Sequence, residues 1–192
     1  YYPIGYPTYD ESRDAIQAMA EVGVDGFEIG MPFSDPLADG PTIQAATQVA
    51  LRNGITARRC LDAVRALRAR GVGQPMLLMG YLNPVLAYGP DAFARDARAA
   101  GADGLIVPGL PPEEADLLAG ACAREGLALI FFLAPTSTDA RIKLVAERAR
   151  GFLYVVSVTG VTGARAALPP SLGDFLARVR AQTECPRVVG FG

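Results

Sequence analysis

The sequence has no histidine in its 192 residues. That absence excludes Ser-His-Asp and Cys-His relays, imidazole-ligated metals and imidazole acid-base chemistry within the chain. Proton transfer therefore falls to Asp, Glu, Tyr, Lys or Cys. Cysteine is scarce as well. Cys60, Cys122 and Cys185 stand alone, with no CxxC spacing, which fits inert thiols in a reducing cytoplasm better than disulfides or zinc. There is no leader, no lipidation motif and no apolar run long enough to span a bilayer, so the expectation is a cytoplasmic protein off the membrane. Strong charge of one sign is also lacking, the formal net charge being −2. Arg52, Arg58, Arg59, Arg65, Arg68 and Arg70 do gather, but no aromatics interleave with them. They read as a solvated helix face and not as a nucleic-acid surface. Linkers and low-complexity runs are missing too, and so is an initiator Met. The chain opens on strand-like Tyr1 to Ile4 and stops in a strand-like run at 187–192, so one domain over 1–192, cut at both ends, is expected.

What is present is a rhythm. With 51% hydrophobic residues the chain can bury a sizeable core. Apolar runs at Tyr1 to Ile4, Gly26 to Ile29, Pro75 to Met79, Gly104 to Val107, Leu127 to Leu133, Phe152 to Ser157 and Arg187 to Phe191 are bracketed by Gly, Pro or small polar residues. Few of them alternate with polar positions, as expected of parallel strands buried on both faces. Helical patterns lie between them, near 10–22, 42–52, 56–70, 90–100, 112–125, 138–149 and 171–182. The stretches VGVDGFEIG (22–30) and AGADGLIVPG (100–109) resemble each other, each a helix end turning into a strand. Seven strands alternating with helices predict an α/β fold. No dinucleotide-type glycine fingerprint follows the first strand, which favours a (β/α)8 TIM barrel over a doubly wound sheet, with about seven of eight strands present.

Chemistry is densest in FEIGMPFSDPLADGPTIQAA, residues 27–46. In a barrel, functional groups sit at the C-terminal strand ends and in the loops that follow. Glu28 is placed at such an end, between Phe27 and Ile29, which alternation sends to the other face. A carboxylate turned into a barrel interior is desolvated, which raises its pKa into the range useful for acid-base work; a structural ion pair accounts for the same residue equally well. Asp35 and Asp39 follow in the loop. Asp35-Pro36 is also a turn former, and Asp39 also suits a cap for a helix beginning at Thr42 with Pro41 in its first turn. Tyr154 to Arg165 contains Gly160, Thr162 and Gly163, a loop able to bring backbone N–H groups to a phosphate or an ordinary glycine-rich turn. Gly190-Phe191-Gly192 ends the seventh run, where such barrels often hold phosphate. Tyr81 and Asn83 could line a pocket, although Asn83-Pro84 also suits a plain turn. Phe33, Leu78, Leu105 and Phe191 are apolar wall candidates or ordinary core.

The run Glu28 to Gln44, EIGMPFSDPLADGPTIQ, resembles the signature of the tryptophan synthase α subunit family. Support continues through Met79 to Pro84, Val107 to Glu113, Ala134 to Thr136, Ser157 to Gly163 and Val189 to Gly192. The resemblance implies a TIM barrel lyase that cleaves indole-3-glycerol phosphate to indole and glyceraldehyde 3-phosphate by a retro-aldol step, without metal or organic cofactor. In that reading Glu28 is the acid-base residue and Asp39 accepts from the indole N–H. Tyr154 lies beside Glu28, Thr162 helps close the site, Tyr81 and Phe191 line it, and Gly163 and Gly192 bind phosphate. Asp35 and Pro36 face the tryptophan synthase β subunit of an α2β2 assembly. Gly109 and Tyr6 stand where many members have Asp. A stand-alone indole-releasing lyase and a non-catalytic allosteric partner barrel are the alternatives. The 192-residue chain by itself is expected to release little indole.

Overall fold

The computed structural model of the chain describes residues 1–157 and 170–190; Thr162, Gly163, Phe191 and Gly192 lie outside the described residues. Among the described residues seven parallel strands pair in sequence order: β1 (Tyr2–Pro3), β2 (Phe27–Gly30), β3 (Met76–Met79), β4 (Gly104–Ile106), β5 (Ala128–Leu133), β6 (Leu153–Val156) and β7 (Arg187–Gly190). Among the described residues eight α-helices lie between them: α1 (Tyr9–Glu21), α2 (Pro41–Arg52), α3 (Ala57–Ala69), α4 (Leu82–Tyr88), α5 (Pro90–Ala100), α6 (Asp116–Glu125), α7 (Asp139–Arg148) and α8 (Leu172–Arg180). A flat sheet would hold β2 and β6 about 19 Å apart, four strand spacings. Yet the Tyr154 hydroxyl on β6 hydrogen-bonds the Glu28 carboxylate on β2. The sheet is therefore curled, with seven strands of a (β/α)8 TIM barrel and an interior narrow enough for two side chains to meet across it.

The two faces of the sheet differ as that curvature requires. Outward positions such as Ile29, Leu78, Leu105, Phe131 and Val155 join Ile16, Val64, Leu67 and Phe93 in one core between strands and helices. Inward positions form a smaller cluster, Leu77, Ile106 and Ile130, with Met79, Phe132 and Tyr154 packed on it. Leu78 and Leu105 thus belong to the helix-facing core and line no pocket.

Helix starts follow from local chemistry. Thr8, Thr56 and Thr138 each accept a backbone N–H three residues on, satisfying a donor the helix leaves open. Gly101 and Gly126 stop α5 and α6 in the left-handed conformation. The predicted turn at Asn83-Pro84 is instead the first turn of α4, with Tyr81 as N-cap. Proline is tolerated there because the first-turn N–H groups have no intrahelical acceptor. Of the arginine cluster, Arg68 is the exception to solvation. It donates to the carbonyls of Gly101, Val72 and Gln74 at 2.9, 2.6 and 2.8 Å and to the Asp103 carboxylate at 2.6 Å. Asp103 also accepts from the Met76 N–H at 2.8 Å, so one guanidinium ties together the turns that feed β3 and β4. The cysteines are free, Cys60 and Cys122 buried.

Candidate active site

On β2, Phe27 and Ile29 turn outward into the helix-facing core at 5% and 0% exposure, leaving Glu28 on the inner face in register with Leu77 of β3. Glu28 is the second of the four strand residues and not its last. It sits one interior layer deeper than a strand-end position, half-buried. The Tyr154 hydroxyl donates to its carboxylate from across the barrel. Three contacts hold that phenol. Phe132 packs against its ring with centroids 4.7 Å apart, Glu28 takes its proton donor, and Gly190, its neighbour on β7, leaves the space it fills. A Cβ on Gly190 would collide with the Tyr154 ring and hydroxyl. Burial, the Glu28 charge and the hydrogen bond push the Tyr154 phenol far above its ordinary value, in that order. It stays protonated, and so stays a donor.

Asp39 reaches the same region from the β2–α2 loop. It does not cap α2: the cap is Gly40, with Pro41 opening the helix and no side-chain hydrogen bond. The Asp39 backbone is pinned at both groups. Its N–H bonds the Pro36 carbonyl at 3.1 Å, and its carbonyl accepts from Gln44 Nε2 at 2.8 Å. The carboxylate is left for other work. The Tyr81 hydroxyl, just past β3, accepts the Ala38 N–H at 2.8 Å and donates to the Asp39 carboxylate. Desolvation raises the Asp39 pKa above the usual range, and the Tyr81 hydrogen bond works against that rise. Phe33 packs against the Tyr81 ring at 5.4 Å. Tyr81, expected to line a pocket, therefore holds the loop that carries Asp39. Asp35 lies exposed in this loop and accepts from the Ser34 hydroxyl at 2.6 Å. Beside Pro36, Leu37 is 88% exposed.

One residue at this site escaped the sequence reading. The pairing of Tyr2 with Ile29 and Pro3 with Gly30 puts Tyr1 on the same inner face as Glu28. Its hydroxyl lies on Gly30, where a Cβ would collide with it. The available signal was Gly30 itself, a glycine two residues after an inward glutamate, which marks a close approach from another group. The structure thus brings Glu28, Asp39, Tyr81 and Tyr154 together, with Tyr1 added. The phosphate-binding expectations at Thr162, Gly163, Phe191 and Gly192 fall outside the described residues. Among the described residues, no group of three thiol or carboxylate side chains is placed to hold a metal ion. Two separately supported carboxylates around an apolar interior can carry a proton at one point and hold a positive charge at another.

The chain matches the family model for the tryptophan synthase alpha chain over residues 1–192. It is 54% identical over 192 residues to the tryptophan synthase alpha chain of Roseiflexus sp. (strain RS-1), covering 100% of this chain and 74% of that relative. Identity to the Chloroflexus aurantiacus alpha chain is 52% over 192 residues, covering 100% and 72%. Among solved structures, Mycobacterium tuberculosis tryptophan synthase superposes with a TM-score of 0.91 at 46% identity, covering 100% of this chain and 73% of that one. A Pyrococcus furiosus tryptophan synthase complex superposes with a TM-score of 0.89 at 33% identity, covering 100% and 76%.

Proposed function

The chain belongs to the tryptophan synthase alpha chain family, and from that premise we propose that Glu28 and Asp39 carry out its α reaction, the lyase cleavage of indole-3-glycerol phosphate to indole and glyceraldehyde 3-phosphate. The observation that carries the assignment is the Glu28 carboxylate on the inner face of β2, fixed by the Tyr154 hydroxyl from β6.

The reaction needs one proton moved and one charge stabilised. Protonation of indole C3 turns the ring into a cation with much of its charge at N1. Loss of the proton from the hydroxyl on the adjacent chain carbon then makes that oxygen a carbonyl. The C–C bond breaks, and its electron pair returns to the ring. One carboxyl can take the hydroxyl proton and give one to C3, so Glu28 balances the step without an oxidant or reductant. One of its oxygens accepts from Tyr154, which leaves the other for the substrate. Asp39, on the loop above, accepts from the ring N–H and holds the positive charge while it exists. Desolvation strengthens that interaction relative to water. Met79, Phe132 and the Leu77–Ile106–Ile130 cluster supply the apolar surface a ring needs. Thr162 closing the site, and Gly163, Phe191 and Gly192 lining it and holding the phosphate, belong to the same proposal.

A β chain is the partner implied by family membership, in an α2β2 assembly, with exposed Asp35 and half-buried Pro36 on the facing surface. Among the described residues no helix is long and apolar enough to cross a membrane; we place the enzyme in the cytoplasm, where its pathway chemistry needs no membrane. The test is Glu28→Gln in the full-length protein. Indole release should fall to near background with substrate binding retained, and unchanged release would remove Glu28 from the mechanism.

A further inference from the structure

Three phenols surround the two carboxylates, and two of them are already engaged. Tyr154 donates to Glu28. Tyr81 accepts from Ala38 and donates to Asp39. Among the described residues the Tyr1 hydroxyl has no hydrogen-bond partner, although Asp39, Tyr81 and Glu28 all lie close enough to act on it electrostatically. The residue is 46% exposed overall, but its hydroxyl end is folded inward onto Gly30, one interior position above Glu28. A donor withdrawn from water and left unpaired carries a desolvation cost that a ligand can relieve.

On the reading of the reaction given above, we infer that Tyr1 is a further substrate-contacting residue whose hydroxyl donates to an oxygen of the substrate's glycerol chain. The chemistry of the ligand leads there. The indole ring offers one donor, its N–H, and no acceptor for a phenol in its plane. The phosphate is assigned to the loops after β6 and β7. The glycerol oxygens are the acceptors that remain, and one of them must lie at Glu28 to lose its proton. A phenol near both carboxylates is placed to meet that oxygen. Burial raises its pKa, so it keeps its proton and arrives as a donor. As that hydroxyl gives up its proton, negative charge builds on its oxygen, and a fixed donor favours that change.

The test compares Tyr1→Phe with the unaltered full-length α chain, in complex with the β chain, on two ligands. One is indole-3-glycerol phosphate, read as kcat and KM. The other is indole-3-propanol phosphate, an analogue with the same ring and phosphate but no glycerol hydroxyls, read as the constant with which it competes. Loss of one neutral hydrogen bond predicts a roughly 3- to 10-fold fall in kcat/KM for the substrate, most of it in kcat, with analogue affinity held within about twofold. Equal weakening of both ligands would assign the hydroxyl to the ring or to Asp39 and overturn the inference, as would an unchanged kcat/KM. The reading of the reaction fails separately, through Glu28→Gln, so the two failures are distinguishable.

Discussion

Replacing Tyr81 with Phe separates the loop that carries Asp39 from the support it receives after β3. The ring and its contact with Phe33 at 5.4 Å survive, so only the hydroxyl is lost. Two of the bonds at that hydroxyl differ in consequence. Ala38 is exposed, and its N–H can turn to water at little cost. Asp39 is half-buried, and the bond it receives from Tyr81 is charge-assisted. Such bonds contribute roughly 1.5–3 kcal/mol when fully shielded. With partial access to water, about 1 kcal/mol is the reasonable remainder, or roughly fivefold in kcat/KM. The pH profile is the more discriminating readout. Desolvation raises the Asp39 pKa and Tyr81 holds it down; the other ionisable groups bearing on this corner are Tyr1 and, through Tyr1, Cys60 and Glu28. In the proposed reaction Asp39 must be ionised to balance the ring cation, so activity is expected above its pKa and should be lost as pH falls through it. Without Tyr81 that pKa rises further, and the acidic limb of kcat/KM moves to higher pH. Steady-state indole release across the acid range measures this directly. A Tyr81→Phe enzyme with an unmoved acidic limb and an unchanged kcat/KM would show that the bond does not set the state of Asp39.

Two further outcomes follow from contacts away from that loop. Gly190→Ala should displace the Tyr154 phenol and break its bond to Glu28, costing roughly 10- to 100-fold in kcat/KM. In a Tyr154→Ala background the same change should cost little, and additive losses in the two backgrounds would show that Gly190 acts by another route. Arg68→Met removes three carbonyl contacts and leaves Asp103 with the Met76 N–H alone, so we expect a loss of roughly 2–3 kcal/mol in stability. A lower denaturant midpoint at constant slope, with kcat unaltered at low temperature, would match; an unmoved midpoint would contradict the role given to this guanidinium.

The sequence reading placed all seven strands within a residue or two because each is a short apolar run closed by glycine or proline, and parallel strands covered on both faces advertise themselves that way. It missed α4 because Asn83-Pro84 is equally at home in a turn and in a first helical turn, and only the packing of Val85, fully buried, decides between them. Periodicity gave the inward direction of Glu28, but not its depth in the strand or its partner on β6, 126 residues away. Leu78 and Leu105 could be read as walls or as core because an apolar run gives no alternation by which to tell the two faces apart, and the helix-facing core is where they lie. Asp39 looked like a cap because Asp is a good one, whereas Gly40 takes the cap position and leaves the carboxylate for the barrel mouth.

The two carboxylates are held by different kinds of structure, and this bears on what each can do. Glu28 and its partner Tyr154 both stand on strands of one sheet, and the glycine that makes room for the phenol stands on the next strand. Folding the sheet therefore completes this half of the site before any substrate arrives, as a proton carrier that must meet one oxygen and one carbon requires. Asp39 stands on a loop pinned by Pro36, Gln44 and one phenol hydroxyl. Bonds local to the loop can yield without disturbing the sheet. Moving Asp39 then costs a loop movement, while moving Glu28 would cost the barrel itself. On the proposed reading of the reaction, the Glu28 half of the site is therefore set in advance, while the Asp39 half can still adjust to the ring N–H.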